Sequence, residues 1–129
     1  MVQAPLALDI QNLTATENGN QKAIGAVTVS STATAIDTMD LDTANGAVYY
    51  VVGKNATEGH YSINEVFAAA TPGLAAVTNG PSLSTKGTTQ LEFTAAFDTS
   101  SENAYELFAS STSGGSTVVN AYRINCLAG

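Results

Sequence analysis

Apolar and polar positions alternate along most of this chain. Between Pro5 and Leu13, Leu6, Leu8 and Ile10 fall on one side of an extended backbone and Ala7 and Asp9 on the other, the two-residue period of a strand with one covered face. Ala23 to Val29 repeats the period. Thr32 to Leu41 keeps it imperfectly, because Ala33, Ala35 and Ile36 break step and predict a bulge or bend. Ala47 to Lys54 is apolar in both phases, which predicts an interior strand covered on both faces. Gly59 to Ala69 sets Tyr61, Ile63, Glu65 and Phe67 against His60, Ser62, Asn64 and Val66, with neither phase purely apolar. A short strand follows at Leu74 to Thr78, and Thr88 to Phe97 lines up Leu91, Phe93, Ala95 and Phe97. Asn103 to Ser110 reads as a strand, although Tyr105, Phe108 and Ala109 also fit a helical period. Thr117 to Leu127 closes the chain with a long alternating strand.

Three Asn-Gly dipeptides punctuate these segments: Asn18-Gly19, Asn45-Gly46 and Asn79-Gly80. Both residue types tolerate positive φ, as two-residue hairpin turns require. Asn45-Gly46 is expected to lead directly into the strand at Ala47, whereas Pro81 after Asn79-Gly80 predicts a wider loop. Thr71-Pro72-Gly73 and Ser113-Gly114-Gly115 are further turn signals, and Asp98 to Glu102 is a polar loop. About eight or nine short strands with turns roughly every 8 to 12 residues predict an all-β fold, an antiparallel β-sandwich of jelly-roll or immunoglobulin-like kind. At 129 residues the chain is expected to form one domain, with residues 33–129 as the sandwich and residues 1–32 as an N-terminal arm or extra hairpin.

Composition narrows the partners. Eleven acids against Lys22, Lys54, Lys86 and Arg123 give a net charge of −7, and the cations stand singly. Phosphate backbones and anionic membranes are bound by clustered cations, so neither nucleic acid nor a membrane is an expected partner. No apolar run approaches the roughly 20 residues of a membrane span, and no basic leader opens the chain, so a soluble, unprocessed protein is expected. Only 12% of residues are charged, and Ser, Thr, Asn and Gly fill out the surface, as in many extracellular and virion-surface β proteins. Much of the apolar content is Ala, so Tyr49, Phe67, Phe93, Phe97, Phe108 and Tyr122 are expected to drive the core. Cys126 has no second cysteine for a disulfide or a zinc site, and its phase with Val118, Tyr122 and Ile124 predicts a buried small hydrophobe.

No catalytic constellation emerges. His60 has Glu58 and Glu65 nearby, but on a strand residues 58 and 60 share a face and 65 points away, so His60 is expected to be exposed or at a loop end. No nucleophile-elbow spacing is present. Asp37, Asp40 and Asp42 form a local carboxylate cluster that raises the question of calcium, but the EF-hand Gly and distant Glu are missing, and a solvated turn is expected. Asn12-Leu13-Thr14 and Asn55-Ala56-Thr57 match the glycosylation sequon. Gly114-Gly115 lacks the Lys and helix of a phosphate-binding loop. Tyr49, Tyr50, Tyr61, Tyr105 and Tyr122 are the aromatic residues available to a saccharide. The expectation is a non-enzymatic protein with no cofactor and no metal.

From Ala33 onward the chain runs Ala-Thr-Ala-Ile-Asp-Thr-Met-Asp, then Gly46-Ala-Val-Tyr-Tyr-Val-Val, a strand bearing Glu65, Leu91-Glu-Phe-Thr-Ala-Ala-Phe, Glu106-Leu-Phe-Ala and Ser116-Thr-Val-Val-Asn-Ala-Tyr-Arg-Ile. This succession resembles a β module of virion structural proteins of tailed phages, notably marine and cyanobacterial ones. Asp37, Tyr49 or Tyr50, Glu65, Phe93 with Ala95, and Arg123 stand at the places of that module's motif residues, while Val48 replaces the module's Lys. The resemblance implies a structural β-sandwich without catalysis, used in decoration, neck or tail-fibre positions. A module filling most of a small chain is expected to be free-standing, which points to a capsid decoration, or cement, protein. The implied partners are the major capsid protein and further copies of the chain, in a homo-oligomer such as a trimer, at the capsid surface. Leu6, Leu8 and Ile10 are then a candidate capsid-anchoring segment. The alternative is a tail or neck fibre module that binds a carbohydrate or host receptor.

Overall fold

The alternating segments become antiparallel strands in two stacked sheets. A computed structural model describes residues 16–18, 21–71, 74–97, 103–112 and 116–128. Among them are nine strands: β1 (Thr16–Asn18), β2 (Gln21–Val29), β3 (Thr34–Asp40), β4 (Ala44–Asn55), β5 (His60–Thr71), β6 (Leu74–Ser84), β7 (Leu91–Phe97), β8 (Ala104–Ser111) and β9 (Thr117–Ala128). One sheet has six strands in the order β1-β2-β9-β4-β5-β6, and the other has three in the order β3-β8-β7. The all-β sandwich architecture is therefore present, with β4 inside the larger sheet between β9 and β5, but covered on one face only: Tyr49 and Val51 are buried, whereas Val48, Tyr50 and Val52 are half-buried on the outer face. Residues 104–111 are strand rather than helix. The alternating segment at Leu6, Leu8 and Ile10 lies outside the described residues.

Small residues keep the space between the sheets narrow. Ala47, Ala68, Ala70, Ala109 and Ala121 are buried there, around Tyr49, Tyr105, Met39, Leu91 and Leu107. Phe93 joins them, but Phe67 and Tyr122 do not, because both stand on the far side of the six-stranded sheet. β2 pairs along β9 and buries Ile24 and Val29, so the division drawn at residue 32 cuts through the larger sheet.

Two of the Asn-Gly expectations fail. Asn45 and Gly46 lie within β4, where the register against β9 shifts on either side of Gly46, and the turn itself is Leu41 to Thr43. Asn79 and Gly80 lie within β6, beside a register shift against β5. In both places the extra residue is taken up as a bulge, which needs no pair of positive-φ residues. The described glycines with positive φ are Gly59 (64°), closing the β4–β5 turn, and Gly87 (69°), after β6. Asn18 pairs with Gln21, leaving residues 19 and 20 between β1 and β2 and outside the described residues.

Candidate functional site

The strand registers bring three polar side chains into one row on the inner face of the larger sheet. Lys22 on β2 pairs with Arg123 on β9, and Arg123 pairs with Tyr49 on β4. Asp37 descends onto this row from the opposite sheet, because a bulge between Ala35 and Asp37 in β3 turns two successive residues, Ile36 and Asp37, inward. Its carboxylate accepts from Lys22 Nζ at 2.8 Å through Oδ1, and from Arg123 Nη1 at 2.8 Å and Tyr49 Oη at 2.7 Å through Oδ2. Arg123 Nε donates to Asn125 Oδ1 at 2.8 Å, and the Tyr105 hydroxyl from β8 lies 3.5 Å from that of Tyr49. The Asp37 side chain is wholly inaccessible and that of Arg123 is 1% exposed.

Held by two cations and a phenol, the Asp37 carboxylate joins the two sheets. Burial raises the Tyr49 hydroxyl far above the usual phenol range, and the Asp37 charge and Tyr105 push the same way. Tyr105 is raised as well, chiefly by burial. Both stay neutral donors at any physiological pH. Asp37 is thus separated from the cluster predicted with Asp40 and Asp42, which remain at the surface, where Asp40 Oδ1 accepts from the Asp42 amide and from Asn103. Among the described residues no group of three His, Cys, Asp or Glu side chains converges on a metal position.

His60 opens β5 at a loop end, as expected, but it is buried, not exposed. Its Nε2 lies 2.7 Å from Ser84 Oγ and 3.3 Å from the Thr88 carbonyl. Around it, Ser62 Oγ donates to Gln90 Oε1 at 2.5 Å, Gln90 Nε2 donates to the His60 carbonyl, and Asn64 Nδ2 donates to the Val51 carbonyl at 3.1 Å. These bonds tie the connection before β7 to β5. Glu65 points to the other side of the sheet from His60. Asn55 of the second sequon is buried, with its oxygen accepting from the Glu58 amide.

The outer face of the six-stranded sheet is where apolar side chains meet water. On β5 the inward residues are His60, Ser62, Asn64 and Val66, while Tyr61, Ile63 and Phe67 point outward. On β9 the phase of Val118, Tyr122, Ile124 and Cys126 also points outward, leaving Arg123 inside. Cys126 is therefore exposed, contrary to the expectation of a buried thiol: Arg123 must reach Asp37, and residues of the opposite phase turn away from the core. Registers align Val52, Ile63 and Leu83 in one cross-strand row and Ile124, Val48 and Phe67 in another, with Tyr122, Tyr50 and Glu65 between them. Ile63 is 57% exposed, Leu83 71% and Phe67 40%. Lys54 lies 5.8 Å from the Tyr61 ring centre, and the Tyr50 hydroxyl donates to Glu65; slight desolvation and that carboxylate raise it.

Sequence reasoning missed this face and the Lys22 and Tyr105 contributions to the buried network. The available signal was the misfit on β9, where Arg123 occupies the phase opposite the larger apolar residues. No helix among the described residues is long and apolar enough to cross a membrane. No protein-family model, curated protein or solved structure matches the chain.

Proposed function

We propose that this chain is a non-enzymatic structural protein of a phage virion, a capsid decoration protein that binds the outer face of the major capsid protein shell as a homo-oligomer. One observation carries the reading. Asp37, Arg123 and the first of the Tyr49-Tyr50 pair, residues on which the resemblance to phage virion modules rests, meet in one buried network that joins the two sheets. These three motif residues are spent on joining the sheets, as a structural module requires. Leu6, Leu8 and Ile10 supply the apolar side of the attachment arm, and strength comes from many weakly bound copies on one shell.

Mass spectrometry and imaging of purified native particles test the proposal. The expected result is this chain in hundreds of copies on the head, lost when Leu6, Leu8 and Ile10 are changed together to Asp; its absence from the head overturns the reading. The outward tyrosines Tyr50, Tyr61 and Tyr122 favour a second reading, an adhesion module of the tail or neck. That reading predicts a few copies at one vertex and saccharide binding that Tyr61→Ala weakens.

A further inference from the structure

We infer that the outer face of β9, β4, β5 and β6 is a self-complementary interface on which a second copy of this chain docks about a two-fold axis. Antiparallel sheets ordinarily present a polar face to water when the other face is covered. Here the larger apolar side chains of β5 lie on the wet side and the polar ones inside, the reverse of what a monomer needs.

Charge selects the occupant. The chain carries −7, so copies repel through most of their surfaces. The outer face of the three-stranded sheet presents Asp40, Glu92 and Glu106 with no described cation beside them. The outer face of β9, β4, β5 and β6 presents one Lys and one Glu, Lys54 and Glu65, and is neutral. Another copy can approach this face without repulsion.

The positions of those two charges suit a two-fold pair. Lys54 is in register with Tyr61, so Glu65 stands one strand and four residues away, about 5 Å across the strands and about 14 Å along them. An axis lying in the face that exchanges these positions puts each Lys54 on the partner's Glu65, twice. It also crosses the strands of the two copies at about 40°, near the roughly 30° at which sheets stack in alignment. The axis then runs along the Val52-Ile63-Leu83 row, midway between the Lys54 and Glu65 positions, so that row meets its own copy across the interface. Four strands, about 20 Å wide and overlapping over about 20 Å around the axis, give a footprint of about 400 Å² per copy, or about 800 Å² in the pair, the size of a weak, transient contact. A reversible dimer of modest affinity follows.

Sedimentation velocity on the full chain from about 10 µM to about 1 mM tests this. The native chain is expected to pass reversibly from monomer to dimer. Ile63→Asp should leave it monomeric throughout with an unchanged far-UV spectrum, since Ile63 is 57% exposed in the monomer. Lys54→Glu and Glu65→Lys should each weaken the dimer about tenfold, because the two-fold counts each change twice. The double variant K54E/E65K should return to within about threefold of native. That rescue is specific to an interface that pairs these two residues. A chain monomeric at about 1 mM, a trimer, or a double variant weaker than either single one overturns the inference. So does a monomer in which a photo-crosslinker at Leu8 captures Ile63 of the same chain, or one whose binding to capsid shells Ile63→Asp abolishes. The inference gives the homo-oligomer of the virion reading a definite interface and rests on it only for that role. A dimer absent from particles overturns the virion reading alone, and a monomer found on particles overturns this one alone.

Discussion

Replacing Asp37 by Asn keeps the shape of the buried network and removes its charge. Arg123, 1% exposed, then faces a neutral amide, and Lys22, whose side chain is 26% exposed, can turn toward water. Breaking a buried ion pair from one side costs about 3–5 kcal/mol, because the remaining charge stays desolvated. For 129 residues, 1 kcal/mol is worth about 4 °C in Tm, so D37N should lower the midpoint by about 10–20 °C. Urea unfolding followed by circular dichroism gives the free energy directly, and an unchanged slope against urea shows that only stability moved. The companion variant D37N/R123M removes both charges and leaves a flexible apolar side chain in the place of the guanidinium. It should be more stable than the sum of the single losses predicts, by at least about 2 kcal/mol. If D37N costs less than about 1 kcal/mol, or if the single losses add to within about 0.5 kcal/mol, the network does not fasten the sheets as argued.

Tyr49 and Tyr105 make the fold sensitive to alkali. Their folded pKa values are raised, so they hold their protons after the unfolded chain has released them near pH 10. Their contribution is complete below that pH and is lost as pH rises above it, by about 1.4 kcal/mol per pH unit for each tyrosine still protonated in the fold. Urea midpoints between about pH 9 and 11.5 should fall along this slope, and Tyr49→Phe should remove that residue's share. Gly53→Ala should cost about 1–3 kcal/mol by thermal melting, since its new methyl would stand 2.5 Å from Gln90 Oε1 and 3.0 Å from Leu91 Cδ1. Cys126 should react with an aromatic disulfide reagent at the same rate in native and urea-unfolded protein, whereas a buried thiol would be protected in the native state.

Local alternation was enough to show strands, their approximate bounds and the sandwich class, because a period of two follows from backbone geometry alone. It also located the bulge in β3, since Ala35 and Ile36 visibly break the period there. It did not say which phase of a strand faces the core. On β5 and β9 the usual rule, larger apolar side chains inward, gives the wrong face, and His60, Phe67, Tyr122 and Cys126 were misplaced together for that reason. The inner phase was chosen by partners distant along the chain: Asp37 reaching Arg123 across 86 residues, and Gln90 reaching the His60 carbonyl and Ser62 across 30 and 28. Asn-Gly turns failed for a related reason, since a dipeptide that permits a turn is also accommodated as a bulge when its neighbours in the sheet continue past it. The sequence by itself determined the extended segments and the net acidity, and it singled out Asp37, Tyr49 and Arg123. Only the tertiary structure decided that these three residues share one buried network and that the apolar phase of β5 and β9 lies outside, because the facing of a strand is a property of the two sheets it joins.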